Sequence, residues 1–308
     1  MKNYFDFYLT GKKLLPIWIV FLLAFLAPYI AIVVMMKDIL PGETPPMFIF
    51  PLIFLLLVIA FVITFYMVKL AVVNVAYQEK NLAFRGSFGR FIGVVLLGSF
   101  LSIITLGVYL AWFIRNLHRF FVDNTSYGSN GLRFQGKGAK LFVIILLTLM
   151  LPMVGLSVIM MQFFLDCSQD LMFSIASQMV TMIIMIPYLY YFYKWMIDIK
   201  YKEYSISWKT KFWAAFGKIA IEFLIMMLTV GIYMPLAYLR LYKYFAERTV
   251  AESSDNQLTF GYDIDQLGDF LFIWGQLLLT IVTVGIYYPW AFCKIGKRIL
   301  SKTYLEKR

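Results

Sequence analysis

The sequence has few of the residue types that build most catalytic and metal sites. Its 308 residues include one histidine and two cysteines, and neither cysteine belongs to a CxxC pair. It has no HExxH, Walker or GxSxG pattern and no paired acids. We therefore expect no enzymatic activity, no cofactor and no metal ion. His118, beside Arg119 at a predicted helix end, is expected to be a structural residue.

Charged residues are also scarce, at 15% of the chain against about 25% in an average soluble domain. Hydrophobic residues make up 62%, a surplus that is too large for one soluble core and must face lipid. Seven apolar runs each approach the ~20 residues that a helix needs to cross a bilayer. They lie near 14–36, 48–70, 91–114, 141–165, 171–193, 219–239 and 270–293. An integral membrane protein is predicted.

The basic residues, which give a net charge of +11, lie at the ends of these runs and not on a polar globular face. That distribution is typical of lipid headgroup contact and cytoplasmic retention. No motif that reads nucleic acid accompanies it. We therefore expect anionic lipid headgroups as partners and no nucleic acid. The candidate headgroup-binding residues are Arg115, Arg119, Lys243 and Lys297.

A short motif, T-x-G-[IV]-Y, occurs three times. Its candidate ligand-binding or structural residues are Thr105, Gly107, Tyr109, Thr229, Gly231, Tyr233, Thr283, Gly285 and Tyr287. Glycine weakens a helix, and a proline follows in the second and third copies, so the motif predicts a helix break. The threonine can bond a carbonyl that the break frees, and the tyrosine can anchor at headgroup level. Alternatively, the three copies surround one shared cavity.

The chain also repeats over a longer distance. The first two motif copies are 124 residues apart, and the same offset places Pro28 on Pro152 and Tyr66 on Tyr190. Such self-similarity indicates repeated structural units. We predict a first membrane repeat at 1–138, a second of the same order at 139–262, and an additional motif hairpin with a basic tail at 263–308.

Four short segments between the apolar runs alternate large apolar residues with smaller or polar ones. They are 82–84, 132–134, 206–208 and 258–260. Period-two alternation near glycine argues for strands, and unpaired strands are costly in lipid. The predicted fold is an all-α polytopic membrane protein. It has tandem helical units with three helix breaks, and its strands form one small cytoplasmic sheet.

The basic residues bear on topology. Seven simple crossings would divide the 28 lysines and arginines 10 to 18 between the two sides. If the motif segments instead enter and return as re-entrant hairpins, only the segments near 37–47 and 166–170 face outward, and Lys37 is their one base. This sharper asymmetry favours hairpins over kinked full crossings. Both termini are then cytoplasmic.

Glu222 is the most unusual acid, because the run from Phe223 to Tyr233 is almost wholly apolar. Charges within membrane segments are costly and often functional. Lys218, four residues earlier, is spaced to pair with it on a helix. Glu222 is a candidate ligand-binding or structural residue. Gln276 is one of several polar residues in apolar runs that we expect to join helices through hydrogen bonds.

The motif copies resemble those of the bacterial inner-membrane family that includes the YjgN proteins, DUF898. The resemblance is carried by residues 105–112, 229–235 and 283–290 and covers about 82–308, with Ala111 standing where a motif proline is expected. It implies an inner-membrane location and an uncharacterised role. Duplicated units with broken helices favour a transport- or channel-like protein. The alternative is a non-catalytic scaffold that interacts with anionic lipids.

Overall fold

The computed structural model describes residues 2–37, 44–167 and 171–307, and its central feature is a closed barrel of ten antiparallel strands. Each strand pairs with its neighbours in chain order, and β1 closes the ring by pairing with both β10 and β2. The strands are β1 Lys2–Phe7, β2 Val75–Tyr77, β3 Lys80–Phe84, β4 Thr125–Tyr127, β5 Asn130–Phe134, β6 Ile199–Tyr201, β7 Tyr204–Trp208, β8 Thr249–Glu252, β9 Gln257–Tyr262 and β10 Thr303–Lys307.

The prediction of an all-α fold with one small sheet is therefore wrong. The four segments read as strands lie in β3, β5, β7 and β9, but they do not pair with one another. Each pairs with strands that directly follow a helix. Those strands are three to five residues long, too short to show alternation against their apolar neighbours. Closure leaves no sheet edge exposed. It depends on the pairing of β1 with β10, strands from the two ends of the chain.

Helices join the strands as five hairpins. The first contains α1 Gly11–Val20, a π-helical stretch Phe21–Leu26, α2 Ala27–Lys37 and α3 Ile49–Val73; the second contains α4 Phe88–Ile104 and α5 Leu110–Asp123. The third contains α6 Gly138–Ile145, a π-helical stretch Leu146–Met150, α7 Leu151–Cys167 and α8 Leu171–Met196. The fourth contains α9 Phe212–Leu228 and α10 Met234–Ala246, and the fifth contains α11 Gln266–Val282 and α12 Tyr288–Leu300.

Every hairpin leaves an odd-numbered strand and returns into the next strand along the chain. In all five cases, the two long hairpins included, these strands are antiparallel neighbours. One backbone hydrogen bond recurs where each hairpin meets the barrel. The donor follows the outgoing strand and the acceptor precedes the returning one. The five donor–acceptor pairs, at 2.8–3.0 Å, are Tyr8–Asn74, Arg85–Asn124, Gln135–Asp198, Lys209–Arg248 and Asp263–Lys302. All five hairpins therefore rise from one end of the barrel.

Strand register assigns the barrel's two faces. Tyr77, Tyr127 and Tyr201 share one face but belong to alternate strands, β2, β4 and β6. Cα atoms two strands apart are roughly 10 Å apart, yet the rings of Tyr77 and Tyr127 approach to 5.7 Å and those of Tyr127 and Tyr201 to 6.2 Å. Side chains converge in this way only on a concave surface. The aromatic face is thus the barrel interior, and charged residues such as Arg133 and Lys200 lie on the outer face.

Four helices in the described part of the chain are long and apolar enough to cross a membrane. They are Gly11–Lys37, Ile49–Val73, Gly138–Met161 and Ile175–Met196, from the first and third hairpins. This fits a membrane protein. The predicted outward segments 37–47 and 166–170 join these helices, and residues 38–43 and 168–170 lie outside the described residues.

The other three hairpins, called here the short hairpins, are the second, fourth and fifth. Their outgoing helices have 17 residues each, or roughly 25 Å at about 1.5 Å per residue. Each ends at a motif copy, as the predicted helix break requires, and a second helix follows. Because the strands on both sides pair with each other, the chain must return to the barrel. Seven simple crossings do not fit this path.

Buried aromatic clusters join neighbouring hairpins at the barrel end. Each contains a residue three positions before a helix N-cap; the five are Phe7, Phe84, Phe134, Trp208 and Tyr262. Phe134, for example, packs with Trp195, and a Cβ on Gly136 would stand 2.3 Å from the Phe134 ring. The glycine after phenylalanine is thus required by close ring packing. The last helix, α12, packs on α1 and closes the ring of hairpins.

Candidate functional site in the short hairpins

The threonine of each motif copy holds the helix break together. Thr105 Oγ1 donates to the Leu101 carbonyl oxygen at 2.7 Å and accepts from the Tyr109 N–H at 2.9 Å. Thr229 and Thr283 make the same two bonds in their own hairpins, at 2.8–3.2 Å. The hydroxyl therefore satisfies the tyrosine N–H that the interrupted helix leaves unpaired, and it adds a second bond to a carbonyl that already accepts the threonine N–H. This is the local role among the two alternatives.

The backbone at the break is left-handed over two successive residues. The motif glycines have φ of +82 to +88°, and the preceding residues, Leu106, Val230 and Val284, have φ of +48 to +50°. Positive φ is rare for β-branched residues and costs energy. These three side chains are also 87–94% exposed. Each short hairpin thus presents an apolar tip that water would not stabilise.

The fourth hairpin contains a polar group centred on Tyr233. The Tyr233 hydroxyl donates to Glu222 Oε2 at 2.7 Å and accepts from Arg240 Nη1 at 2.7 Å. Lys218 pairs with the other oxygen of Glu222, as the i,i+4 spacing predicts. Glu222 is 1% exposed, and Arg240 Nη2 also donates to Gln266 at the start of α11. A wholly buried carboxylate is thus linked through a tyrosine to an arginine.

The fifth hairpin repeats this geometry with a neutral glutamine in place of the carboxylate. The Tyr287 hydroxyl donates to Gln276 Oε1 at 2.9 Å and accepts from Lys294 Nζ at 2.8 Å. The spacings, eleven residues before the tyrosine and seven after, are those of Glu222 and Arg240. Gln276 therefore links α11 to Tyr287, the residue that precedes α12, within its own hairpin.

In the second hairpin the first of these three positions carries no polar side chain. Tyr109 accepts only a long bond, 3.4 Å, from Asn116 Nδ2. Gly98 stands where Glu222 stands in the fourth hairpin, and the Phe113 ring occupies the space that a Cβ there would need. Of the three short hairpins, only the fourth thus places both a carboxylate and a cation on the motif tyrosine.

Neighbouring hairpins secure two of the tips. Trp274 of α11 donates its indole N–H to the Ile232 carbonyl oxygen, and Trp18 of α1 donates to that of Gly285, both at 2.9 Å. The contacts of the motif residues lie within a hairpin or with the next one around the ring. They give no support to the alternative of one cavity shared by all three copies.

The chain was compared with known proteins. The model of a family described as a bacterial protein of unknown function, DUF898, matches residues 2–266. The chain belongs to DUF898. No curated protein and no solved structure gives a significant match. The match extends over the first hairpin, which the sequence resemblance covered only loosely, and ends at the start of α11.

This DUF898 chain has a second buried acid, Asp269, which the sequence analysis did not single out. Its carboxylate, 1% exposed, accepts from Arg298 at 2.6 Å and from Lys302, and it also contacts the Tyr262 hydroxyl at 3.2 Å. The cluster ties α11 to α12 at the foot of the fifth hairpin, where the second hairpin has packed phenylalanines instead. The sequence offered one signal, an acid in the first turn of an apolar helix.

The candidate headgroup-binding residues all lie towards the barrel end of the returning helices. Arg115 donates to the Gly136 carbonyl oxygen, Arg119 pairs with Asp123 at 3.0 Å, and Lys243 approaches Glu247 at 3.6 Å. Lys297 is exposed on α12. His118 contacts the Met196 carbonyl oxygen at 3.0 Å and packs against Phe134, contacts that suit a structural residue.

Arg240 is the member of the Tyr233 group that sequence reasoning missed. It stands among tyrosines and leucines of an amphipathic helix, where an arginine is ordinary. Only the fold of the hairpin brings it opposite Glu222, 18 positions earlier in the sequence.

Proposed function

We propose that this protein is a non-catalytic, multi-pass protein of the bacterial inner membrane with transport- or channel-like activity. The barrel and both termini face the cytoplasm, and the short hairpins enter the bilayer from that side without crossing it. The chain arose by tandem repetition of a strand–hairpin–strand unit. The observation that carries the proposal is the buried carboxylate of Glu222, linked through the half-buried Tyr233 hydroxyl to Arg240 in the fourth hairpin.

The orientation is supported by where the bases lie. Since all hairpins rise from one barrel end, a single membrane side holds every strand and every strand-to-strand turn. That side then contains 27 of the 28 lysines and arginines, all but Lys37. The positive-inside rule makes it cytoplasmic.

The transport-like activity is supported by the free-energy cost of burying a charge. A carboxylate buried in an apolar helix, as Glu222 is in α9, is expensive, and such residues commonly mark ion or substrate paths. Helix breaks beside polar side chains are also a recurrent feature of transporters. In the second hairpin a glycine and a phenylalanine fill the same space, so the fold itself does not require these charges.

Proton flux into proteoliposomes tests the proposal. Vesicles that contain the wild-type protein and an internal pH dye are given an inward-driving potassium diffusion potential. We expect faster acidification than in empty vesicles, and expect Glu222→Gln and Tyr233→Phe to abolish the difference. Glu203→Gln, which changes an acid in the turn between β6 and β7, is the control and should retain it.

The second candidate is a scaffold that interacts with anionic lipids. It is favoured by the positions of Arg115, Arg119, Lys243 and Lys297 at the barrel end of the hairpins, where headgroups would lie. Proton flux no greater than that of empty vesicles, together with normal folding and retained anionic lipids in purified protein, would reject proton transport in favour of this role.

A further inference from the structure

Beside the Tyr233 group, a basic cavity of about 350 Å³ opens between the fourth and fifth hairpins. Its lining includes four cationic side chains, those of Lys218, Arg240, Lys243 and Arg248, and one acidic side chain, that of Glu247. We propose that this cavity is a binding site for a phosphate-bearing anion, either a lipid headgroup or a free phosphate compound. The inference deepens the proposed function, on which it rests for the membrane setting.

The charges around the cavity do not cancel. Glu247 lies 3.6 Å from Lys243 and 3.9 Å from Arg248, so one carboxylate serves two cations loosely. Glu222 compensates the positive charge of Lys218 through their ion pair. Counting both acids, the surroundings keep two excess positive charges. Lys218, Lys243 and Arg248 remain 32–40% exposed, so their charged ends can reach an incoming ligand.

The donors suit a phosphate. Arg240 is held in place by Tyr233 and by Gln266, so its guanidinium is oriented before a ligand arrives. A fixed planar guanidinium presents paired N–H groups to phosphate oxygens, while lysines add point charge. The hydroxyl-bearing ring of Tyr244 and the apolar Ile264 complete the wall. This combination favours an oxyanion with an attached organic group or a hydrated phosphate.

The other short hairpins arrange their charges differently. In the second hairpin the positions of Lys218 and Arg240 hold Val94 and Asn116, and Arg119 is paired with Asp123. In the fifth hairpin Arg298 and Lys302, near the barrel, face two acids, buried Asp269 and exposed Asp265. In the fourth hairpin Lys243 and Arg248, near the barrel, share the single exposed carboxylate of Glu247.

The position matches the expected ligand depth. Arg248 immediately precedes β8, and Arg240 lies eight residues further along α10 from the barrel, roughly 12 Å at about 1.5 Å per residue. If the hairpin stands in the bilayer, the cavity spans the headgroup region of the cytoplasmic leaflet. A lipid phosphate would enter from the side, and a soluble phosphate compound would enter from the barrel end.

Binding to the full-length protein in neutral detergent tests the inference in two arms. One arm titrates inorganic phosphate by calorimetry, and the other adds phosphatidylglycerol, with phosphatidylcholine for comparison, and counts bound lipids by native mass spectrometry. We expect Lys243→Gln and Arg240→Gln each to weaken binding about tenfold, equivalent to about 1.4 kcal/mol. Lys294→Gln, the same change at the position of the fifth hairpin that corresponds to Arg240, should leave it unchanged.

The outcomes separate the ligand sources and the two proposals. Phosphate binding that depends on Lys243 identifies a soluble ligand, and phosphatidylglycerol binding alone identifies a headgroup. Binding in neither arm, or equal loss in the fifth-hairpin control, overturns the inference. Lys243→Gln keeps the test valid if Arg240→Gln fails to fold, because the half-exposed Lys243 side chain approaches Glu247 only to 3.6 Å. Glu222-dependent flux without phosphate binding would leave the proposed function standing.

Discussion

At the scale of single residues, the motif is first a device for reversing the chain. Its threonine bonds two backbone groups, of which the tyrosine N–H has no other partner, and its glycine adopts a conformation that side chains disfavour. The tyrosine alone reaches beyond the turn, to Glu222 or Gln276. The conformational role is common to all three copies, whereas only Tyr233 bonds a carboxylate.

Gly231→Ala is expected to destabilise the fourth hairpin by about 1–2 kcal/mol, because alanine resists a φ of +82°. The added methyl group itself meets no atom within 4 Å, so the effect isolates the backbone. Thermal unfolding in detergent measures it. Gly217→Ala, in the middle of α9 and equally free of contacts, is the matched control and should stabilise by about 0.5–1 kcal/mol. Equal effects at both sites would show that the turn conformation carries no strain.

At the scale of the elements, each short hairpin is too brief to be read from hydropathy alone. An apolar helix, a five-residue turn and an amphipathic helix together resemble one long crossing with a basic end. What distinguishes them is strand pairing: β3 with β4, β7 with β8, and β9 with β10. Pairing obliges each hairpin to return to the side from which it left.

Cysteine accessibility checks this path. In a variant with Cys167 replaced, Ser129→Cys and Lys202→Cys, both in strand-to-strand turns, should react with a membrane-impermeant maleimide only after spheroplasts are permeabilised. Met47→Cys, at the other end of the first hairpin, should react in intact spheroplasts. Under seven simple crossings, positions 129 and 202 would instead react from outside. Ser126 is unsuitable as a reporter because it is buried.

At the scale of the whole molecule, the barrel makes five hairpins into one ring. Its closure joins the two chain ends, since β1 pairs with β10, and Lys2 and Tyr4 both contact Asp263 beside β9. The hydrogen bond to Asp263 raises the pKa of Lys2 to about 12, and Lys2 lowers that of Asp263. Both groups therefore keep their charges across the physiological pH range.

A disulfide tests the closure directly. Asn3 and Leu305 are Cα partners across β1 and β10, and Cα atoms of opposed residues in antiparallel strands stand about 4.5–5.5 Å apart, within the range for a disulfide. The double cysteine variant should lose both free thiols on mild oxidation, as counted by maleimide-polymer mass shift. Asn3→Cys combined with Ser129→Cys places cysteines on parts of the ring that are not neighbours, and this variant should keep both new thiols free. Persistent free thiols at 3 and 305 would argue for an open sheet.

Part of this architecture could be predicted from particular residues. The three motif copies predicted the helix breaks, and the spacing of Lys218 and Glu222 predicted their ion pair. Four strands were located but not their partners, because strand pairing is decided between residues up to 304 positions apart, such as Lys2 and Glu306. Arg240 and Asp269 escaped notice for the same reason, since their partners come from other turns of the chain.

What the sequence by itself determined is the solvent and the local geometry: the excess of apolar residues requires lipid, and threonine and glycine at fixed spacing require a break. Only the tertiary structure decided where each break leads. Ten strands of three to six residues cannot hold together singly, so their hydrogen bonds are satisfied by closing a ring. That ring forces every hairpin to rise from one end and sets Arg240 opposite the buried Glu222.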